Sequence, residues 1–229
     1  MYPFSQIKRS NLAQFIWEQI EKAFQATPNL ASTLHGQRKI YQGCFGRRTA
    51  LFPSTKSGGA IPLESRLELA QALCLEQNIQ VKSFRTQAIK VPLSGNSFSY
   101  PDFLVQNIDG SFEIHEVKPS IKALTQEELQ KFKQVAEILN QMGILFKLID
   151  QSSLPSKEQL QKLLYLYQRG HKRIWSPLEI DLAIGALQRL PLQNIEAAYE
   201  SLQKLGLPCE LGDYLLFHKK IIIDTEGGI

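Results

Sequence analysis

The hydrophobic and polar positions of the chain follow helical spacing in some segments and strand-like alternation in others. Residues 11–26 and 63–77 carry apolar side chains three and four positions apart, which predicts an amphipathic helix in each segment. Short apolar runs bounded by turn residues predict strands at 38–42, 49–52, 79–87, 88–93, 98–105 and 112–118. The first half of the chain is therefore expected to hold two helices and a group of meandering strands.

The segments that follow alternate between helix and strand. A capping box at Thr125 predicts a helix that runs to about Met142. Residues 144–149 are almost all apolar, which predicts a short strand buried on both faces. A second capping box predicts a helix over 156–168. This order of elements predicts an α/β fold, in which a mixed sheet is flanked by helices.

A polar segment at residues 168–173 predicts a linker between two domains, residues 1–170 and residues 171–229. Beyond it, Ser176 is a predicted helix cap with Pro177 at the first helical position. The predicted elements of the second domain are helices over 177–190 and 193–205 and an extended segment over 214–224. Two helices followed by a strand predict a small winged-helix-like domain.

Composition narrows the class of protein. The chain has 229 residues, of which 43% are hydrophobic, so it can form a packed core. No apolar run approaches the roughly 18–20 residues that span a bilayer, and the first residues lack a secretory signal pattern. The three cysteines stand far apart and form no C-x-x-C pair, which indicates reduced thiols. We therefore expect a cytoplasmic protein without membrane contacts.

Charge is unevenly distributed along the chain. Residues 1–170 have a formal net charge of +6, and residues 171–229 have −2. The 42 residues from 22 to 63 contain no acid, which favours a surface that faces DNA phosphates over a merely solvated basic loop. The acidic second domain instead favours docking to a protein partner. The predicted DNA-binding residues of the basic segment are Arg38, Lys39, Arg47, Arg48 and Lys56.

The clearest candidate chemistry lies in the predicted hairpin at residues 99–120. Its strands are joined by an Asp-Gly turn, and they carry Asp102 on the first strand and Glu116 and Lys118 on the second. Period-two alternation places Glu116 and Lys118 on the same face. An Asp and a Glu on adjacent strands supply oxygen ligands for Mg²⁺ or Mn²⁺, and the carbonyl of Val117 is a further candidate ligand.

Such a cluster fits phosphodiester hydrolysis. A bound divalent ion activates water and stabilises the leaving oxygen, and a neighbouring lysine orients the water or stabilises the transition state. The alternative interpretation is an ordinary exposed hairpin, whose charges keep its edge soluble.

The sequence Pro101-Asp102, followed by Glu116-Val117-Lys118, resembles the signature of the PD-(D/E)xK nuclease superfamily, which has the restriction-endonuclease-like fold. A longer stretch resembles the TnsA family, the endonuclease subunits of heteromeric DNA transposons. That family has an L-E-L-A helix, an R-x-Q strand, a D-F-L-V strand and a V-K-P strand end, matched here at 67–70, 85–87, 102–105 and 117–119. The resemblance is good over residues 60–150, loose over 30–60, and holds only in outline beyond.

The resemblance implies roles for particular residues. It makes Glu68 the third acidic residue of the site, with Glu64 as the competing candidate one turn earlier. Glu68, Asp102 and Glu116 would then bind the metal, and Lys118 would position water or phosphate. The R-x-Q match implies that Arg85 either contacts phosphate or supports the sheet. The chain departs from a familiar member of the family, which has glutamine where Glu116 stands, so it is nearer the general superfamily pattern. The segment between Glu68 and Asp102 is also shorter.

The resemblance also implies an activity and partners. The expected reaction is cleavage of the non-transferred strands at the 5′ ends of a transposon, in the bacterial cytoplasm at the nucleoid. The expected partners are double-stranded DNA at the transposon ends, a TnsB-type DDE transposase and a TnsC-type AAA+ regulator. Two alternatives remain open: a stand-alone restriction- or repair-type nuclease, and a non-catalytic DNA-binding or assembly factor on the same fold.

Overall fold

The computed structural model of the chain describes residues 4–25, 28, 50–188 and 195–222. The chain divides into two compact units, residues 1–154 and residues 155–229. The first unit contains α1 (Phe4–Gln25), β1 (Ala50–Ser54), β2 (Gly59–Leu63), α2 (Arg66–Gln77), β3 (Val81–Thr86), β4 (Val91–Pro92), β5 (Phe98–Ser99), β6 (Phe103–Asn107), β7 (Phe112–Lys118), α3 (Gln126–Asn140) and β8 (Leu145–Asp150). Two short 3₁₀ turns lie at Ser94–Asn96 and Gln151–Ser153.

Four of these strands form the central sheet of the first unit, in the order β3-β6-β7-β8. The pairs β3/β6 and β6/β7 are antiparallel, whereas β7/β8 is parallel. Helix α3 connects the two parallel strands, because parallel neighbours need a crossover connection. The first unit is thus a mixed α/β structure with helices on a mixed sheet, as the sequence predicted.

One hydrophobic core of the first unit lies where α1 and α3 pack on one face of this sheet. Ile16 and Ile20 of α1 meet Leu104 and Ile114 of the sheet and Val135 of α3, all at most 1% exposed. Helix α2 contacts the opposite face of β7, where Gln71 hydrogen-bonds to His115. The sheet is therefore covered on both faces, and polar side chains gather at its strand ends.

Several predictions for the first unit are corrected by the structure. The helix predicted from residue 11 begins at Phe4, and the strand predicted over 88–93 is limited to Val91–Pro92. The strand predicted over 98–105 is divided into β5 and β6, because Pro101 lies between them and has no N–H to donate. The strand over 144–149 is not buried on both faces: it forms an edge of the sheet, with Leu145 47% exposed. Residue 63 closes β2, and the helix predicted from it begins only at Arg66. The strand predicted at 38–42 lies outside the described residues.

The second unit contains α4 (Lys157–Gly170), α5 (Pro177–Leu187), α6 (Ile195–Lys204) and α7 (Cys209–Phe217). The boundary between the units lies after Leu154, whereas the sequence predicted it after residue 170. The reason is that α4 packs tightly on α7: a Cβ on Gly170 would lie 2.6 Å from the backbone nitrogen of Tyr214. The indole of Trp175 also donates to the Gly170 carbonyl at 2.6 Å.

The extended segment predicted over 214–224 is wrong where it overlaps α7. Leu211 and Leu215 are fully buried one helical turn apart, among the side chains of α5 and α6. The apolar run at residues 214–217 therefore lies in a buried helix. Periodicity alone does not distinguish so short a run from a strand. The described residues of this unit form four helices and no strand, so they do not form the expected wing. Of the described helices, none is long and apolar enough to cross a membrane.

Candidate active site

The start of α2 places Glu68 with its carboxylate held in place. Ser65 is the N-cap, and its hydroxyl accepts a hydrogen bond from the Glu68 backbone. In return, Glu68 Oε1 accepts from Ser65 Oγ at 2.9 Å, and Oε2 accepts from the backbone N–H of Glu64 at 2.8 Å. This is the reciprocal bonding of a capping arrangement, so the carboxylate is fixed close to the helix start. Glu68 is 8% exposed.

Asp102 lies immediately before β6, and its side chain reaches across to β7. Asp102 Oδ2 accepts a hydrogen bond from the backbone N–H of Val117 at 2.8 Å. Val117 stands between Glu116 and Lys118, so the bond joins the two halves of the predicted motif directly. The carbonyl of Asp102 also accepts from the backbone N–H of Gln87 at 2.9 Å. Both its side chain and its backbone are thereby held between neighbouring strands.

Glu116 and Lys118 project from the same face of β7, as strand alternation predicts. Lys118 Nζ and Glu116 Oε1 form an ion pair at 2.7 Å, in which the Glu116 side chain is 9% exposed and that of Lys118 is 26% exposed. The ammonium also lies 5.4 Å from the ring centre of Phe132 on α3. Lys118 is thus held at the rim of the cluster, between a carboxylate and solvent.

The electrostatics show that the acidic groups interact with one another. Burial, together with the charges of Glu116 and Glu68, raises the pKa of Asp102 to about 8. Burial also raises the pKa of Glu68, and the charges of Glu64 and Glu116 add to that rise. Although burial opposes it, the neighbouring carboxylates of Glu116 and Asp102 raise the pKa of Lys118. Three carboxyl groups therefore share one close ammonium group, and the folded cluster holds a proton that a divalent cation can displace.

This donor set fits a divalent cation that keeps part of its water. In the described residues, no three His, Cys, Asp or Glu side chains surround a common point as a ready-made metal site. Mg²⁺ needs only one or two carboxylates besides water and phosphate oxygens, which Asp102 and Glu116 supply. Each carboxylate oxygen of Glu68 accepts one hydrogen bond and keeps a second lone pair with which it could join them. The backbone carbonyl of Val117 follows Glu116 directly along β7 and is a further candidate ligand.

The competing glutamate is also near the site, but in a different position from the one predicted. Glu64 precedes the cap of α2, so it is not part of the helix. Its Oε2 accepts from Gln87 Nε2 at 3.0 Å. Gln87 is 2% exposed and has a positive φ of 46°, which is uncommon for a residue other than glycine. Gln87 thus contacts both Glu64 and Asp102, a role that the R-x-Q match alone did not reveal.

The predicted DNA-binding residues fall into two groups. Arg38, Lys39, Arg47 and Arg48 lie outside the described residues. Lys56 is held within the protein: its Nζ donates to the carbonyls of Leu75, at 2.9 Å, and Asn78, at the C-terminal end of α2. Burial lowers the pKa of Lys56 to about 8, although the charge of Glu76 opposes the shift. These contacts give Lys56 a structural role at the end of α2, so its presence does not require a contact with DNA.

Arg85 is likewise committed to the protein interior. It is 6% exposed, and its guanidinium donates to the carbonyl of Ala23 at 2.9 Å and to the hydroxyl of Ser83 at 3.0 Å. It also lies 5.0 Å from the ring centre of Phe24. Of the two roles that the sequence left open for Arg85, these contacts favour support of the sheet by connecting β3 to α1.

The opposite face of β7 carries a second polar network that the sequence analysis missed. Gln71 Nε2 donates to His115 Nδ1 at 2.9 Å, so the other ring nitrogen carries the proton and donates to Glu113 Oε2 at 2.8 Å. Lys147 Nζ donates to the same oxygen at 2.6 Å. This network lines a cleft of about 420 Å³ on the α2 side of the sheet. The sequence did contain a signal for this network: Glu113 and His115 are two positions apart on a predicted strand, so they lie on the same face.

Comparison with known proteins does not assign a function to the chain. No protein-family model matches the chain, and no curated protein shows significant similarity to it. The case for a function therefore rests on the residues at the start of α2 and along β6 and β7, and on how the fold arranges them.

Proposed function

We propose that the chain is a divalent-metal-dependent DNA endonuclease of the PD-(D/E)xK type. The observation that carries this proposal is the hydrogen bond from the Val117 backbone to the Asp102 carboxylate. It brings Asp102 next to Glu116 and Lys118, at the end of two central strands, with Glu68 in electrostatic contact. Buried carboxyl groups that raise one another's pKa, next to a partly exposed lysine, are typical of a site for metal-assisted phosphodiester cleavage.

Each residue has a distinct role in this proposal. Asp102 and Glu116 would hold Mg²⁺ or Mn²⁺ with the Val117 carbonyl, and Glu68 would add charge or a further ligand. When bound, the ion supplies Lewis-acid activation of water and of the scissile phosphate. Lys118, paired with Glu116, directs its ammonium toward the rim, where it orients the attacking water or stabilises charge on the phosphate. The backbone bond from Val117 keeps Asp102 oriented with an oxygen left for the metal.

The finer part of the proposal rests on the resemblance to the TnsA family. We propose that the substrate is transposon-end DNA and that cleavage at the 5′ ends occurs together with a TnsB-type transposase and a TnsC-type regulator. The acid-free segment at residues 22–63, with Arg47 and Arg48, supports contact with DNA phosphates. The net negative charge of residues 171–229 supports their use as a protein-docking surface.

A cleavage assay tests the activity. The full chain is incubated with plasmid carrying transposon ends, with Mg²⁺ or EDTA, and with or without a TnsB-type transposase. We expect Mg²⁺-dependent cleavage that Asp102→Asn and Lys118→Ala each reduce by at least about 100-fold. Asp109→Asn is the matched control, because this exposed turn residue lies in the same hairpin but outside the cluster.

The outcomes separate the candidate functions. Cleavage that needs the transposase supports the transposon assignment, whereas efficient cutting of naked DNA by the chain alone favours a stand-alone nuclease. If Asp102→Asn cleaves at the wild-type rate, or EDTA has no effect, the site assignment is wrong. DNA binding without any cleavage, in the presence of the transposase and Mg²⁺, would favour the non-catalytic factor.

A further inference from the structure

A pair of histidines lies in the second unit, outside the candidate active site. His171 caps the C-terminus of α4, and His218 caps the C-terminus of α7. Although 47 positions separate them in the sequence, their Nε2 atoms are 3.0 Å apart. Both imidazoles are only partly buried, so an ion from solvent can reach them. The packing of α4 on α7 therefore brings two metal-ligating side chains to one point.

The hydrogen bonding of His171 directs a lone pair toward this point. His171 Nδ1 lies 3.0 Å from the carbonyl oxygen of Tyr167. Since a carbonyl only accepts, Nδ1 carries the proton, and in the neutral imidazole Nε2 carries the lone pair. Metal-ligating histidines commonly have a backbone carbonyl at the other ring nitrogen in this way. Burial lowers the pKa of His171, although the Tyr167 carbonyl opposes the shift, which favours the neutral form that binds metal.

Both imidazoles are held in position by aromatic neighbours. The His171 ring lies 4.2 Å from the ring of Tyr167 and 5.3 Å from that of Phe217, measured between centroids. The His218 ring lies 4.4 Å from Tyr214 and 5.0 Å from Phe217. Because the rings are already packed, metal binding would restrict little further side-chain motion, which favours affinity.

The surroundings and the spacing both suit a cation. The C-terminal end of a helix carries partial negative charge from its unpaired carbonyls, and two such ends meet at this pair. Two metal–nitrogen bonds of about 2.0–2.1 Å, at angles between 90° and 109°, place the nitrogens roughly 2.9–3.3 Å apart. The observed separation of 3.0 Å falls within that range. Without metal, His218 Nε2–H donates across this distance to His171 Nε2, so metal binding requires the other tautomer of His218, with its proton on Nδ1.

We propose that His171 and His218 form a two-histidine site for a divalent transition-metal ion, Zn²⁺, Cu²⁺ or Ni²⁺. Imidazole nitrogen is a ligand that these ions prefer over Mg²⁺ or Ca²⁺, so the site differs in metal class from the carboxylate cluster. In the described part of the chain, no third His, Cys, Asp or Glu completes it. The described residues therefore supply two ligands, His171 and His218.

Metal titration of the full-length protein tests this proposal. Asp102→Asn serves as the parent in every arm, so that the carboxylate cluster does not contribute. Zn²⁺ binding is measured by calorimetry, and one equivalent of Cu²⁺ is examined by electron paramagnetic resonance. We expect one Zn²⁺ per chain, with an affinity that falls at least about tenfold in His171→Gln and in His218→Gln. The copper spectrum should show coupling to imidazole nitrogens that either substitution reduces.

His35→Gln is the matched control, because it removes a histidine that does not belong to the pair, and it should leave both signals unchanged. Circular dichroism verifies that each variant is folded. Should His171→Gln unfold, because it loses its bond to Tyr167, His218→Gln decides the outcome by itself. The proposal is overturned if the parent binds no Zn²⁺ at millimolar concentration, which would leave an ordinary hydrogen-bonded pair. Equal affinity in His218→Gln and the parent overturns it as well.

Discussion

Strand β7 carries ionisable side chains on both of its faces, and the two faces compensate their charges differently. On one face, hydrogen bonds from Lys147 and His115 lower the pKa of Glu113, although partial burial opposes the shift. On the other face, burial and the charges of Glu116 and Glu68 raise the pKa of Asp102 to about 8. The first network is internally balanced, whereas in the second the carboxyl groups repel one another and Asp102 takes up a proton instead of staying charged.

This difference indicates that the network around Glu113 supports the fold, whereas the cluster around Asp102 is a candidate site for a ligand. A carboxylate that already has two cationic or N–H donors gains little from a metal ion, and such a network stabilises the fold. A group of carboxylates that repel one another gains greatly from a divalent cation, since the ion removes the repulsion. The same strand therefore supports the sheet on one face and presents a candidate metal site on the other.

The largest expected effect is on catalysis. Glu116→Gln should reduce Mg²⁺-dependent cleavage by at least about 100-fold, because it removes a metal ligand and the partner of Lys118. Glu113→Gln, on the other face of the same strand, should keep cleavage within about threefold at a temperature where the variant is folded. The two variants are compared in single-turnover assays. An equal loss in both would remove the distinction between the two faces.

Stability should change in opposite directions on the two faces. Without metal, Asp102→Asn should raise the free energy of unfolding by about 1–3 kcal/mol, because it removes a buried carboxyl whose raised pKa disfavours folding, while an amide oxygen still accepts from Val117. Glu113→Gln should lower it by a similar amount, because His115 and Lys147 lose their charged acceptor. Urea denaturation in EDTA measures both. If Asp102→Asn also destabilises, the carboxylate cluster is better compensated than the pKa shift of Asp102 implies.

The pH dependence follows from the raised pKa of Asp102. Its usual pKa near 3.8 becomes about 8 in the folded chain, so folding takes up a proton between these values. The free energy of unfolding in EDTA should therefore fall as the pH rises through that interval, and the fall should be weaker in Asp102→Asn. Since Mg²⁺ competes with that proton, its affinity should increase toward pH 8. An affinity for Mg²⁺ that is independent of pH would contradict this assignment.

The smallest expected effect is on the salt dependence of DNA binding. Like the carboxylates, the basic side chains fall into two groups: those predicted to bind a ligand and those that support the fold. Replacing Arg47 and Arg48 by Ala should flatten the salt dependence of DNA binding, by roughly 0.9 in slope for each phosphate that the variant no longer neutralises. Lys56→Ala should leave the slope unchanged and cost about 1 kcal/mol of stability, because Lys56 caps the end of α2. Fluorescence anisotropy over a range of salt concentrations measures the slopes. A lower slope in Lys56→Ala would mean that Lys56 contacts a DNA phosphate after all.

The sequence predicted the parts of the fold that depend on local signals. The Asp-Gly turn and the alternation along 112–118 predicted the hairpin, and the cap at Thr125 predicted the start of α3. Asp102, Glu116 and Lys118 come together because a hairpin fixes the distance between its own strands. Predicting the position of Glu68 required the family resemblance, since Glu68 precedes Asp102 by more than 30 residues.

What the sequence did not predict depends on contacts between distant segments. An apolar run such as 144–149 does not show whether its strand will lie at an edge of the sheet. The apolar residues 214–217 of α7 are compatible with either a helix or a strand. Only the packing of this segment against α4 and α6 makes it a helix. Likewise, the double hydrogen bonding of Glu68 and the burial of Lys56 arise where α2 meets neighbouring loops, so their residue types alone gave no indication.

The central claim is that Asp102 and Glu116 hold a divalent cation at the end of β6 and β7. The most direct measurement is anomalous diffraction from crystals of the protein soaked in Mn²⁺. We expect one or two peaks within coordination distance of both carboxylates, about 2.0–2.3 Å from their oxygens, and none in crystals of Asp102→Asn. No peak at the cluster at saturating Mn²⁺, or one that persists in Asp102→Asn, would contradict this claim.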